Sequence, residues 1–154
     1  MTTTDHQLKL ENQLCFAFYA CSREITKLYR PILAELGLTY TQYITLLALW
    51  EKDGVGVKEL GERLYLDSGT LTPLLKKLET TGLLTRTRSK ADERSVVIEL
   101  TAAGRALKER AAEVPGKLYA CAGLREEDLA GIRSQLQALL QRVDADAQAD
   151  RNAR

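Results

Sequence analysis

The sequence predicts a mainly α fold with a small β-hairpin wing, a winged helix-turn-helix held between N- and C-terminal helices that form a dimerisation region. Three observations carry this. The patterns VKELGERLYL and LTPLLKKLETTG read as two short helices across the tight turn DSGT. The runs LLTRTRS and SVVIELT follow directly and alternate as strands, joined by the polar loop KADER. Apolar stripes at helical spacing occupy both ends of the chain.

Each element has its own warrant. In LENQLCFAFYACSRE and beyond, Leu10, Leu14, Ala17, Phe18, Cys21, Ile25 and Leu28 recur at helical spacing, and the phase ends at Tyr29-Arg30-Pro31 because proline disfavours helix in the residue before it. Thr39 and Gln42 fit a capping box, with Leu38 and Tyr43 as the matching staple, so the next helix begins at Tyr40 and stops near the turn Asp53-Gly54. Asp67 or Ser68 caps the second helix of the pair and Gly82 closes it; Pro73 leaves its start open, since proline suits a first turn and costs a hydrogen bond deeper in. In the hairpin, Arg86 and Arg88 fall on one face and Val96, Ile98 and Leu100 on another. Thr101 caps a helix to about Glu113, Pro115-Gly116 kinks or breaks it, and Leu129, Ile132, Leu136, Leu139, Leu140 and Val143 form a last stripe. Beyond Asp144 the tail is expected to fray.

At 154 residues and 45% hydrophobic content the chain is expected to form a single domain, 1–154, with dimerisation helices at about 8–50 and 101–143 around a DNA-binding region at about 55–100. The 22 basic and 21 acidic residues nearly cancel, so nucleic-acid binding has no support from global charge. No signal peptide and no membrane-length apolar run is evident, which predicts a cytoplasmic protein without a membrane partner. No cofactor or metal is implied: His6 is the only histidine, and the three cysteines lack zinc-site spacing. The same scarcity argues against a Ser-His or Cys-His nucleophile pair, and the absence of a CxxC motif, with the basic patch between Thr70 and Lys90, argues against an enzyme.

Local charge is different. From Thr70 to Lys90 the cations Lys76, Lys77, Arg86, Arg88 and Lys90 face the single acid Glu79. Ser68, Thr70 and Thr72 near the start of the second helix are short donors for phosphates or base edges, and the hairpin tip carries Asp92 and Arg94, with Arg94 able to enter a minor groove. Charge alone would describe a solvated face, but it sits on the element order that docks on double-stranded DNA. The long end helices need a surface to cover their stripes; pairing as a homodimer meets that need and presents two recognition helices to a pseudo-palindromic operator. Closure of those helices onto their own domain is the alternative.

The cysteines divide by position. Cys21 lies in the stripe of Leu14, Ala17 and Ile25 and reads as a small buried hydrophobe. Cys15 lies roughly 100° off the centre of that stripe, one turn before Tyr19, with Glu11 one turn away and Arg23 two. Local sequence therefore supplies no activating cation, and periodicity leaves inert filler as the default unless tertiary partners intervene.

LENQLCFAFYACSRE, LTYTQYITLLALWE, LYLDSGTLTPLLKKLE and RSKADERSVVIELT together resemble the organic hydroperoxide resistance regulators of the MarR family. The likeness runs from about Leu8 to beyond Leu107 and is most specific in DSGTLTPLLKKLE and DERSVVIELT. It implies a dimeric winged-helix repressor whose reactive cysteine, matched by Cys15, is oxidised by organic hydroperoxides and releases operator DNA. Family tyrosines that hydrogen-bond this thiol match Tyr29 and Tyr40, whose phenols would support a thiolate without a cation. Cys121 in YACAGL is placed like the resolving cysteine of many members. Thr41 stands where the family often has proline. Two rivals make different demands: a repressor released by a phenolic or other apolar ligand would respond without Cys15, and a thiol peroxidase would turn over peroxide without specific DNA binding.

Overall fold

The computed structural model describes residues 3–152. The chain divides into two compact units, Met1–Pro115 and Gly116–Arg154.

In the first unit, α1 (Thr3–Gln7) and a 3-10 turn (Leu10–Asn12) precede α2 (Leu14–Ala34). The expected helix from Leu10 is therefore interrupted at Gln13, whose ψ is 109°. Asn12 Nδ2 donates to the His6 carbonyl at 2.7 Å, and Gln13 Nε2 donates to the carbonyls of Gln7 and Lys9 at 2.6 and 3.0 Å. Such local side-chain bonds offer the backbone an alternative to helix. At its other end α2 runs through Pro31 rather than stopping before it. Proline forgoes one helical bond, but Ile32 and Leu33 are buried directly after it, and packing decides the continuation.

α3 (Tyr40–Glu51) begins as expected: the Thr39 hydroxyl accepts from the Gln42 N–H and the Gln42 side chain accepts from the Thr39 N–H at 2.9 Å. Leu38 and Tyr43, its staple pair, are both buried. Gly54 makes the following turn at φ 68°. β1 (Val55–Gly56) was not foreseen, because two residues are too short to show alternation; it pairs antiparallel with β3 in a sheet of order β1-β3-β2. α4 (Val57–Leu64) and α5 (Ser68–Thr80) form the helix pair. Asp67 proves to be the cap, accepting from the Thr70 N–H at 2.8 Å, so Pro73 lies inside α5 rather than in its first turn.

β2 (Leu84–Arg88) and β3 (Val96–Leu100) build the hairpin with Leu84 opposite Leu100, Arg86 opposite Ile98 and Arg88 opposite Val96. Directly opposed residues project from the same face, so the expected separation of arginines from the Val96-Ile98-Leu100 face is corrected. Each strand alternates, but the register was invisible to either strand alone. Thr101 caps α6 (Ala102–Ala111), and α7 (Val114–Ala122) takes Pro115 into its first turn, which places the break just before the proline.

The core of this unit joins Leu33, Leu46, Leu49, Leu60, Leu71, Leu75, Leu78, Leu84 and Ile98, all essentially inaccessible. Gly104 is pressed so close to the α5–β2 turn that a Cβ there would lie 2.0 Å from the Leu83 carbonyl oxygen. Trp50 Nε1 donates to the Gly104 carbonyl at 2.9 Å, and the Thr101 hydroxyl donates to the Gly82 carbonyl at 2.6 Å.

The second unit holds the rest of α7 and α8 (Glu126–Asn152). Gly123 closes α7 at φ 62°, with the Leu124 N–H reaching the Tyr119 carbonyl at 3.1 Å. The expected fraying beyond Asp144 is not seen in the described backbone; Ala and Gln in ADAQAD are good helix formers. Ile132, Leu136, Leu140 and Val143 of α8 are exposed, as are Leu14, Phe18 and Ile25 of α2. Cys21 shares that α2 face and is exposed in the lone chain too: the stripe exists, but this chain alone does not cover it. Among the described residues no helix is long and apolar enough to cross a membrane.

Candidate nucleic-acid interface and thiol site

α5 buries Leu71, Leu75 and Leu78 and turns its other side outward. Ser68, Thr70, Lys76 and Lys77 are exposed there and Thr72 is half-buried. The turn before it depends on two residues the sequence reading did not single out. Tyr65 adopts φ 55° to end α4, and Gly61 admits the returning chain, since a Cβ there would meet the Leu66 carbonyl at 2.8 Å. A glycine inside the helical pattern VKELGERL was the signal that could have revealed this approach.

Of the hairpin residues, Arg88, Lys90, Asp92 and Arg94 are exposed and Arg86 is half-buried. Arg86 is not a free cation. Its Nε and Nη2 donate to Glu79 Oε2 at 2.9 and 2.7 Å, and its backbone N–H donates to Glu79 Oε1 at 3.2 Å. The Arg86 side-chain bond holds the Glu79 carboxyl below its ordinary range, aided by the Arg86 N–H and charge and opposed by desolvation. At the tip, Asp92 Oδ1 accepts the Arg94 N–H at 3.0 Å and Oδ2 accepts the Ser95 hydroxyl at 3.0 Å. The Ser95 N–H reaches back to the Asp92 carbonyl at 2.9 Å. Asp92 thus shapes the loop that displays Arg94.

The base of this face is held by Asp53. Its Oδ1 accepts the N–H groups of Gly54 and Leu100, each at 2.9 Å, and Oδ2 accepts from Arg105 at 2.8 Å. This ties the β1 turn, the end of β3 and α6 together, a role no local pattern revealed because the partners are 47 and 52 residues away.

Cys15 is the second residue of α2 and is exposed. The break at Gln13 is what puts it in the first turn of the helix. The polar triplet ENQ before it was the available signal. One turn on, Tyr19 lies 6.4 Å from the Phe16 ring and carries the Arg23 guanidinium 5.4 Å above it. Tyr29 and Tyr40 meet with ring centroids 4.7 Å apart, and burial raises the Tyr40 hydroxyl above its ordinary value. Tyr29 is fourteen residues along the same helix from Cys15, roughly 21 Å by helical rise, so the tyrosine pair does not reach the thiol of its own chain. Cys121 is exposed on α7 in the second unit.

A helix-turn-helix followed by a charged hairpin, on one core and flanked by helices with uncovered apolar faces, defines a winged-helix transcription regulator. The family model "Transcriptional regulator SarA/Rot" matches residues 27–111. The chain is 55% identical over 137 residues to the organic hydroperoxide resistance transcriptional regulator of Bacillus subtilis (strain 168), covering 89% of this chain and 92% of that protein. It belongs to the organic hydroperoxide resistance regulators of the MarR family. Among solved structures, it is similar to reduced AbfR bound to DNA, AbfR being a Staphylococcus epidermidis protein, with a TM-score of 0.75, 35% identity and coverage of 91% and 97% of the two chains. It is also similar to disulfide-formed AbfR, with a TM-score of 0.61, 35% identity and coverage of 89% and 96%.

Proposed function

We propose that this chain is a redox-sensing transcriptional repressor that binds operator DNA as a homodimer when reduced and releases it when organic hydroperoxides oxidise Cys15. The observation that carries the reading is the arrangement of α2. It holds an exposed thiol in its first turn and, about 21 Å further on, Tyr29, which packs on Tyr40 of α3, with an uncovered apolar stripe along its length. Two copies meeting through that stripe in antiparallel fashion bring Tyr29 and Tyr40 of the partner subunit to Cys15. The existence of AbfR both reduced on DNA and as a disulfide form supports the same logic.

On this reading the Cys15 thiolate, supported by phenolic donors, attacks the distal peroxide oxygen. The O–O bond breaks, the alkoxide leaves and takes up a proton as an alcohol, and the sulfur becomes a sulfenic acid. The thiol of Cys121 of the partner subunit then displaces the hydroxyl as water, leaving a disulfide. The crosslink shifts the end helices and with them the spacing of the two α5 helices, lowering operator affinity by population shift. On the DNA, Ser68, Thr70 and Thr72 meet phosphates or base edges, Lys76, Lys77, Arg88 and Lys90 meet phosphates, and Arg94 enters the minor groove from the loop that Asp92 shapes.

The test is a non-reducing gel after near-stoichiometric cumene hydroperoxide for wild type, Cys15→Ser and Cys121→Ser, with DNA release followed in parallel. The expected result is a reducible band at twice 17.2 kDa, lost in both variants, with release that requires Cys15. Release without Cys15 would overturn the sensor; release with Cys15 and no crosslink would remove Cys121 alone.

A further inference from the structure

Glu79 is an anion on a surface that must approach phosphates, and its charge opposes that approach. Its geometry accounts for its place there. Both carboxylate oxygens are occupied by Arg86, one taking the guanidinium at 2.7 and 2.9 Å and the other the backbone N–H at 3.2 Å. β2 is an edge strand, since the sheet order is β1-β3-β2. The Arg86 N–H that Glu79 takes is therefore one that points out of the ladder rather than toward β3. Both partners are half-buried, Glu79 in the last turn of α5 and Arg86 opposite the inaccessible Ile98. Between α5 and β2 the chain makes only the turn Thr81-Gly82-Leu83.

We propose that Glu79 is a positioning residue for operator recognition: by gripping side chain and backbone of Arg86 it fixes the angle between recognition helix and wing, and it withholds the Arg86 cation from phosphates. The first effect favours the correct site and the second disfavours random DNA, so together they set specificity. The inference rests on the DNA-binding reading above. It concerns how binding is made selective, which neither the charge count nor the fold requires.

The experiment compares wild type, Glu79→Gln and the double variant Glu79→Gln/Arg86→Gln. Each binds a duplex selected by the wild-type protein from a random-sequence pool and a scrambled duplex of equal length, over a range of salt concentrations. In Glu79→Gln, affinity for the selected duplex falls about tenfold, comparable with one mispaired position in a site. Affinity for the scrambled duplex rises, and the salt slope steepens by about 0.9 as one more cation reaches a phosphate. In the double variant the slope returns to the wild-type value while discrimination stays low. A purely structural role would lower both affinities in parallel with unchanged slope, and that result, or wild-type discrimination in both variants, overturns the proposal. A wild-type protein that selects no sequence from the pool would instead overturn the DNA-binding reading, and the clamp with it.

Discussion

Tyr29 and Tyr40 pack with ring centroids 4.7 Å apart, joining the C-terminal part of α2 to the start of α3. The capping box of Thr39 and Gln42 fixes where α3 begins and so where Tyr40 stands; Thr41, despite replacing the proline common in the family, leaves that cap intact. Tyr43 adds a third ring 6.0 Å from Tyr29.

Loss of either phenol should slow the thiol without unfolding the protein. Tyr29→Phe and Tyr40→Phe are expected to reduce the rate of Cys15 oxidation by cumene hydroperoxide about 5- to 10-fold each, the worth of one hydrogen bond of about 1 kcal/mol. Operator binding by the reduced variants should be unchanged. Stopped-flow loss of free thiol checks this, and wild-type rates in both would remove the tyrosines from the mechanism.

At the wing tip, Arg94 and Asp92 should be separable by salt. Arg94→Ala is expected to flatten the plot of log affinity against log salt by about 0.9, as one phosphate or groove contact disappears. Asp92→Ala removes the acceptor of the Arg94 N–H and Ser95 hydroxyl, so it should weaken binding while leaving the slope close to wild type. Titrations by fluorescence anisotropy at several salt concentrations distinguish the two; identical slopes would mean the loop does not approach DNA.

Acid should loosen the base of the wing. Burial acts to raise the Asp53 carboxyl, but the N–H groups of Leu100 and Gly54 and the Arg105 guanidinium outweigh it and hold the group below its ordinary 3.8. A depressed folded value means that its stabilising contribution is present above 3.8 and is lost as pH falls below that through the folded value. Asp53→Asn should cost about 2 kcal/mol near neutrality, where a charge-assisted network is broken. It should also make the acid fall in Tm shallower. Thermal melts across pH check both; parallel curves for the two proteins would show that Asp53 contributes nothing to the acid limb.

Gly104 should resist even the smallest side chain. Gly104→Ala drives a Cβ to 2.0 Å from the Leu83 carbonyl oxygen, and the backbone must shift at an expected cost of about 3 kcal/mol. Chemical denaturation measures it. Because the displaced turn connects α5 to β2, DNA affinity should fall with stability, and a neutral result would mean α6 slides freely on the turn.

Opening the stripe of α2 to charge should separate the copies. Ile25, 43% exposed in the lone chain, can carry a glutamate without a folding penalty in the monomer. Ile25→Glu is therefore expected to halve the mass seen by light scattering and to abolish operator binding. A variant that stays dimeric would move the interface off this face.

Much of the architecture was legible because local chemistry states it. The Thr39 and Gln42 box, the Asp67 cap, Gly82, the alternating hairpin and the two apolar stripes each act within a turn or a few residues, and the structure places them where the pattern does. The likeness of the segments around Cys15, Asp67 and Asp92 carried the family. What only the tertiary structure decided are relations across the chain. The break at Gln13 that puts Cys15 in a first turn comes from side chains folding back on α1. The passage of α2 through Pro31 reflects the burial of Ile32 and Leu33. The hairpin register sets Arg86 opposite Ile98 and hands it to Glu79, turning a counted cation into an internal tie. Sequence pattern reports the free energy of neighbours along the chain; pairing of distant groups depends on which surfaces meet, and periodicity holds no record of that.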